Sequence, residues 1–100
     1  MIYRKEIAMT TLRQLGGKMF LTMTGANKLS YGDEGELNFR FPGSKKWTHC
    51  KIALTPSDLY SMTFYKVRGM DVKDKKEISG VYFDMIRDIF TQETGLYTSL

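Results

Sequence analysis

The segment Glu36–Phe41 constrains the fold most, because its residues alternate strictly between polar and apolar. Leu37, Phe39 and Phe41 occupy every second position, and polar residues lie between them. Successive side chains of a β-strand point to opposite faces, so this pattern predicts a strand in a sheet with one apolar and one solvated face. Such a sheet needs a second layer of structure over its apolar face.

Two helices are predicted to form that layer. In Ile2–Leu15, the apolar residues Ala8, Leu12 and Leu15 recur at helical spacing, and Gly16 and Gly17 follow as a stop signal. The segment Val81–Thr94 carries a longer apolar stripe, formed by Tyr82, Met85, Ile86, Ile89 and Phe90. Gly95 followed by Leu96 predicts a left-handed C-cap with a hydrophobic contact.

The segments between the helices favour strands. Besides Glu36–Phe41, the predicted strands are Met19–Thr24, Trp47–Thr55, Leu59–Arg68 and Met70–Ile78, with an optional short strand at Lys28–Tyr31. A turn at 32–35, with the sequence GDEG, predicts a hairpin. The predicted fold class is α+β, an antiparallel meander of four to five strands flanked by an N-terminal and a C-terminal helix packed on one face.

Three of these strands carry orientation predictions. In Trp47–Thr55, the inward side chains are predicted to be Thr48, Cys50, Ile52 and Leu54, and the outward ones Trp47, His49 and Lys51. Leu59–Arg68 is apolar on both faces, so its orientation stays open. Met70–Ile78 is predicted to turn Val72 and Ile78 inward, and its lysines at 73, 75 and 76 are typical of a protected edge strand.

Length and composition predict one folded domain over residues 1–100. The chain has 100 residues, of which 42% are apolar, and a chain of this size buries roughly two thirds of its unfolded surface. The sequence shows no secretory signal pattern and no uncharged run of the roughly 20 residues that span a bilayer. Cys50 is the single cysteine, so we expect a protein of a reducing cytoplasm with no membrane contact.

Positive charge is concentrated in the segment Arg40–Arg68. It contains six basic residues and one acidic residue, whereas the rest of the chain has nine basic and ten acidic residues. Charge gathered in this way attracts anions. The basic residues are Arg40, Lys45, Lys46, Lys51, Lys66 and Arg68.

The predicted loop Gly43–Trp47 places two of these lysines beside an aromatic ring. Lys45 and Lys46 precede Trp47, and a cation beside a stacking surface is typical of single-stranded nucleic-acid sites. An alternative interpretation is that Trp47 anchors the loop to the core beside two solvated lysines. Tyr60, Phe64 and Tyr65 would extend a stacking platform, although aromatic residues in strands usually pack.

The sequence gives little support for catalysis or for a cofactor. His49 and Cys50 are neighbours, so a strand turns them to opposite faces and they cannot act as base and nucleophile together. One histidine and one cysteine are too few for a zinc site. Gly16, Gly17 and Lys18 lack the pattern of a phosphate-binding loop. We therefore expect a protein that is not an enzyme and has no cofactor or metal.

Three segments, LRQLGGKMFLTMTGA, KIALTPSDLYSMTFYKVRG and VYFDMIRDIFTQETGLYTSL, together resemble a group of small uncharacterised proteins of bacteriophages and mobile genetic elements. The resemblance covers most of the chain from Leu12 onward and includes no catalytic motif. It implies a role inside an infected or plasmid-bearing bacterium, and it implies no site residues.

Two functional hypotheses follow. The first is a non-enzymatic binding protein whose basic central segment engages nucleic acid or a nucleoprotein, with phosphates at the six basic residues and a base stacked on Trp47. The alternative is a small inhibitor of a host defence complex that acts by protein–protein contact, through the basic face or an exposed edge strand. A homodimer is a further hypothesis, because Leu59–Arg68 has apolar residues on both faces.

Overall fold

The computed structural model describes residues 3–98, which form one antiparallel sheet and three helices. In chain order, the elements are α1 (Tyr3–Leu15), α2 (Lys18–Thr24), β1 (Asn27–Tyr31), β2 (Leu37–Arg40), β3 (His49–Leu54), β4 (Tyr60–Arg68), β5 (Asp71–Val81) and α3 (Ile86–Thr94). The predicted α+β fold, with an N-terminal and a C-terminal helix on one face of a meander, is confirmed.

The five strands lie in sequence order, and each pairs antiparallel with the next. Phe39 of β2 lies opposite Cys50 of β3, which lies opposite Phe64 of β4. Directly paired residues share a face of the sheet. The alternation in the sequence of β2 therefore continues across three strands as one buried apolar face.

Phe90 of α3 lies at the centre of the core, between the helices and the sheet. Its ring centroid is 5.2 Å from that of Phe20 in α2, 5.3 Å from that of Phe41 and 5.9 Å from that of Phe39. The first two pairs are close to edge-to-face, a favourable arrangement for aromatic rings. The ring contacts explain why both α2 and α3 pack on the same side of the sheet.

The N-terminal helix is confirmed, with Ala8 and Leu15 buried and Leu12 packed against the core. Its predicted first residue, Ile2, lies outside the described residues. The helix ends at Leu15 before Gly16 and Gly17, as the sequence indicates.

The prediction of a strand at Met19–Thr24 is wrong, because these residues form helix α2. So short a segment fits both the two-residue period of a strand and the 3.6-residue period of a helix. Its buried residues, Phe20 and Thr24, are four positions apart, which is the spacing of a helix. The Thr24 hydroxyl donates to the Phe20 carbonyl at 2.7 Å. Gly25 ends the helix in the left-handed conformation, and its N–H donates to the carbonyl of Leu21.

The C-terminal helix is shorter than predicted, since it begins at Ile86 instead of Val81. The preceding residues belong to the end of β5 and a turn, so Tyr82 and Met85 are exposed and do not join the apolar stripe. The predicted C-cap is confirmed: Gly95 has a φ of 78° and its N–H donates to the Thr91 carbonyl. Leu96 packs against the core.

The structure resolves the orientation of β4, which the sequence left open. The residues of β4 that face the helices and join the core are Tyr60, Met62 and Phe64. The predicted edge strand is β5, but Val72 is 58% exposed, so its inward orientation is wrong. An irregularity in the pairing between Lys66 and Val67 places Val72 opposite Val67, which shifts it away from the core.

Two other orientation predictions have different outcomes. Ile78 of β5 is partly buried and packs against the core, as expected. Leu54, predicted to be inward, is the last residue of β3 and is 37% exposed. It lines a small depression together with Ile7 and Thr10 of α1 and is therefore only partly covered.

Candidate functional site

The side of the sheet opposite the helices carries several basic side chains, and we call it the open face. One row of paired residues crosses four strands of this face, from Arg40 in β2 through His49 in β3 and Tyr65 in β4 to Lys75 in β5. Directly paired residues lie side by side, with Cβ atoms about 4.5–5.5 Å apart. We call these four residues the basic row.

A groove of about 460 Å³ lies at one end of the basic row. Its lining combines cationic, polar, aromatic and aliphatic residues from four strands: Lys28, Ser30, Asn38, Phe39, Arg40, His49, Cys50, Tyr65 and Val67. No carboxylate belongs to this lining in the described part of the chain. The groove therefore favours an anion over a cation.

Lys28 reaches the groove from the edge strand β1, where the backbone is irregular. Its φ of 52° is unusual for a residue other than glycine. The pairing of β1 with β2 shifts register between Asn27 and Ser30, and a bulge of this kind re-aims the side chains at its centre. The irregular backbone of β1 thus coincides with the position at which Lys28 lines the same groove as Arg40.

The electrostatics of His49 show that these cations converge. Burial lowers the pKa of His49 most, and the positive charges of Arg40 and Lys28 lower it further. Each of these cations disfavours a further positive charge on the imidazole. Arg40 and Lys28, on two different strands, therefore both act on the imidazole in the same groove.

The hydrogen bonds of His49 are compatible with a protonated ring. Nδ1 lies 2.8 Å from the hydroxyl oxygen of Thr48. That oxygen accepts from the N–H of Val67 at 2.9 Å and lies 3.3 Å from the carbonyl of Tyr65. If Nδ1 donates, the hydroxyl proton is free to reach the Tyr65 carbonyl, and Thr48 then uses both its donor and its acceptors.

A second row runs parallel to the basic row and is less uniformly charged. Asn38 lies opposite Lys51, Lys51 opposite Thr63, and Thr63 opposite Glu77. Lys51 also shares a shallow depression with Glu34 and Glu36. The positive surface is thus bounded by carboxylates on this side, and its strongest part is the groove and the basic row.

Tyr65 is the aromatic residue of the open face. It is half-buried in β4, and the Nζ atom of Lys75 lies 6.0 Å from the centroid of its ring. This separation is at the limit for a cation–π contact. A cation and an aromatic ring therefore lie together at the β5 end of the basic row.

The prediction that Trp47 points outward and stacks on a ligand is wrong. Trp47 is only 2% exposed, and its ring centroid lies 6.1 Å from that of Phe64 in the core. The strand begins at His49, so the alternation of β3 does not extend back to Trp47. Burial of the large indole surface is favourable, and the alternative interpretation, a tryptophan that anchors the loop, is the correct one.

Lys46 lies on the helix side and is therefore separate from the basic row. Its Nζ atom is 3.9 Å from Oε1 of Glu93 in α3, and Lys76 of β5 contacts Oε2 of the same carboxylate at 2.9 Å. A carboxylate that already holds two lysines reduces their attraction for phosphate. Lys45 is exposed in the same loop.

The other two predicted basic residues lie at the far end of β4. Lys66 lies opposite Asp74, and Arg68 lies opposite Asp71. Of the six predicted basic residues, the structure therefore brings Arg40 and Lys51 together on the open face and places Lys46, Lys66 and Arg68 beside carboxylates or opposite them.

Sequence reasoning missed Lys28 and Lys75 and treated His49 as an isolated outward residue. It named Tyr65, but as part of a platform with Tyr60 and Phe64, which lie in the core. The alternation of β3 correctly turned His49 outward. The signal for Lys28 was the predicted hairpin at 32–35, because pairing β1 with β2 brings Lys28 to the side of Arg40.

Comparisons with protein-family models, curated proteins and solved structures gave no match. Within residues 3–98, no group of three or more histidine, cysteine, aspartate or glutamate side chains is placed to hold a metal ion. In the same range, no helix is long and apolar enough to cross a membrane.

Proposed function

We propose that the protein binds nucleic acid through the open face of its sheet and acts as a binding protein, not as an enzyme. The observation that carries the proposal is the basic row with Lys28 beside it: Lys28 and Arg40, from two strands, line a groove with no carboxylate in its described lining, and Lys75 of a third strand lies at the other end of the row. Phosphates supply most of the affinity of nucleic-acid complexes through contacts of this kind.

The dimensions of the basic row suit a polyanion. Neighbouring strands lie about 4.8 Å apart, so the row extends for about 14 Å across four strands. Along one strand of a DNA helix, phosphates advance about 3.4 Å along the helix axis per nucleotide. The row is thus long enough to contact more than one phosphate, with Arg40 and Lys75 at its two ends.

The thiol and the imidazole of the chain support a binding role. Cys50 is buried on the helix side, and burial raises the pKa of its thiol well above the usual value. A thiol in that state is a poor nucleophile. His49 on the opposite face has Thr48 as its hydrogen-bond partner, and a histidine with a hydroxyl partner alone does not make a catalytic set.

Fluorescence anisotropy with labelled single- and double-stranded DNA and RNA at low salt tests the proposal. The double variant Arg40→Glu, Lys51→Glu should abolish binding. The matched control Lys5→Glu, Lys18→Glu changes the net charge equally on exposed positions of α1 and α2, and it should bind almost as well as the original protein. Equal losses in both variants, or no binding to any of the four nucleic acids, would overturn the proposal.

The alternative of a protein inhibitor, encoded by a phage or a mobile element, has its own supporting observation. Tyr82 and Phe83, in the turn before α3, are 59% and 57% exposed, and exposed aromatic residues are enriched at protein interfaces. Purification of partners from a bacterial lysate after nuclease treatment separates the two functions. A stoichiometric protein lost with Tyr82→Ser, Phe83→Ser but retained with Arg40→Glu, Lys51→Glu would favour the inhibitor.

A further inference from the structure

The groove on the open face contains more than positive charge. Besides its cations, it has the amide of Asn38, the hydroxyl of Ser30, the ring of Tyr65 and the aliphatic side chain of Val67. A surface that only attracts phosphates needs none of these groups. Its volume of about 460 Å³ falls within the roughly 300–1,000 Å³ typical of sites for small organic ligands.

We propose that this groove binds one unpaired nucleotide of a single strand, with its phosphate at Lys28, Arg40 and His49 and its base against Tyr65. The inference rests on the proposed function and names its substrate class. It predicts a preference for single-stranded over double-stranded nucleic acid, which charge alone does not provide.

The phosphate end of the groove is defined by three groups on three adjacent strands. Arg40 of β2 and His49 of β3 are directly paired, and Lys28 of β1 lines the same groove. Arginine offers a planar set of donors that fits two phosphate oxygens, and lysine adds a compact charge. Arg40 and Lys28 together can neutralise one phosphate without a contribution from the second row, and His49 adds a hydrogen-bonding group beside them.

The base end is defined by Tyr65. It is paired directly with His49, so the ring lies one strand further from β1 than the phosphate end. Lys75 lies on the other side of Tyr65 in the basic row and is available for the next phosphate. The alternation of cation, aromatic ring and cation matches the alternation of phosphate and base along a single strand.

A paired base cannot reach this position. In a duplex, both faces of a base are covered by its neighbours, whereas a base in a flexible single strand can place one face on an aromatic side chain. The amide of Asn38, beside the groove, is of the type that forms paired hydrogen bonds with an exposed base edge. Stacking and edge contacts both require that the base is unpaired.

The first experiment measures the affinities of a short single-stranded DNA and a hairpin duplex of the same length for three variants. Tyr65→Leu should weaken single-strand binding roughly 5-fold to 150-fold, the range for loss of one stacked base, and leave duplex binding almost unchanged. Tyr65→Phe keeps the ring and should restore single-strand binding, which also guards against a general loss of folding. Tyr82→Leu, at an exposed tyrosine before α3, is the matched control.

The second experiment uses the single histidine of the chain as a probe of the phosphate end. Thymidine monophosphate is titrated while the ring protons of His49 are followed by NMR. Binding should shift these signals and raise the pKa of His49, because a phosphate offsets the charges of Arg40 and Lys28 beside it and of Lys75 beyond Tyr65. Thymidine without phosphate should produce a much smaller shift in that pKa.

The outcomes separate this inference from the proposed function. If nucleic acid binds but Tyr65→Leu weakens single strand and duplex equally, or not at all, the nucleotide groove is refuted and the electrostatic function stands. Unchanged His49 signals up to high concentrations of thymidine monophosphate also refute the groove. If the original protein binds neither nucleic acid, both proposals fail.

Discussion

The dependence of binding on salt gives the strongest quantitative test, because the structure supplies the number of cations involved. Four basic side chains are available on the open face, from Lys28, Arg40, Lys51 and Lys75. Each phosphate neutralised on a single strand contributes about −0.7 to the slope of log affinity against log salt. With four contacts, we expect a slope of about −2.8, so a fourfold rise in salt should weaken binding about 50-fold.

Removal of two of these charges should halve the slope. For Arg40→Gln, Lys51→Gln we expect a slope of about −1.4, and the same rise in salt should then weaken binding only about 7-fold. The assay is anisotropy of a labelled 12-nucleotide DNA at several salt concentrations between roughly 50 and 200 mM, the range over which counterion release is usually measured. Lys5→Gln, Lys18→Gln is the control with the same net charge.

The absolute affinity matters less here than the change in slope. A slope that stays near its original value in Arg40→Gln, Lys51→Gln would show that other cations make the phosphate contacts. A slope that falls equally in Lys5→Gln, Lys18→Gln would show that the net charge of the protein matters and its arrangement does not. Either result would refute the assignment of binding to the open face.

Three further predictions concern the free protein. Gly35→Ala should lower the free energy of unfolding in urea by about 2 kcal/mol or more, because the residue has a positive φ and the new Cβ would lie 2.9 Å from Cβ of Ile7. Gly69→Ala is the control, because Gly69 also has a positive φ but open space around it, and it should cost less. Equal costs in the two variants would refute the steric argument. The Cys50 thiol should react with a thiol reagent only at the rate of unfolding, because it is buried and its pKa is raised, and rapid reaction of the native protein would contradict this. The pKa of His49 is lower in the folded protein than in the unfolded chain, so the unfolded chain takes up a proton on the imidazole more readily. The free energy of unfolding should therefore fall, relative to that of His49→Gln, as pH decreases below about 6.5. Urea titrations that show the same pH profile for both proteins would refute this prediction.

Much of the fold could be predicted from the sequence because local signals and burial agree there. Leu37 and Phe39 alternate with polar residues in a strand that is covered on one face only. Gly95 ends α3 in the left-handed conformation that its position predicted. In α2, a strand period and a helix period fit the sequence equally well. The choice between strand and helix there depends on contacts with residues distant in the sequence, such as that of Phe20 with Phe90, which no local pattern contains.

The candidate site was harder to predict because it depends on strand register. Lys28 and Tyr65 are far apart in the sequence, and they meet at the groove only because β1, β2, β3 and β4 are neighbours with a defined alignment. Proximity in the sequence was misleading for the adjacent residues Lys46 and Trp47. The first turns to Glu93 and the second enters the core, so the loop that looked most like a binding site is part of the packing.

The arrangement of charge on the open face is not explained by folding. The core beneath it requires only that Phe39, Cys50 and Phe64 point towards the helices, and any polar side chains would serve at the alternate positions. Arg40 and Lys28 both add to the lowering of the pKa of His49 that its burial causes, because each disfavours a further positive charge beside it. Cations gathered around a groove with no carboxylate in its described lining repel one another, and a bound polyanion would offset that repulsion. Nucleic acid, the proposed ligand, would supply the opposite charge.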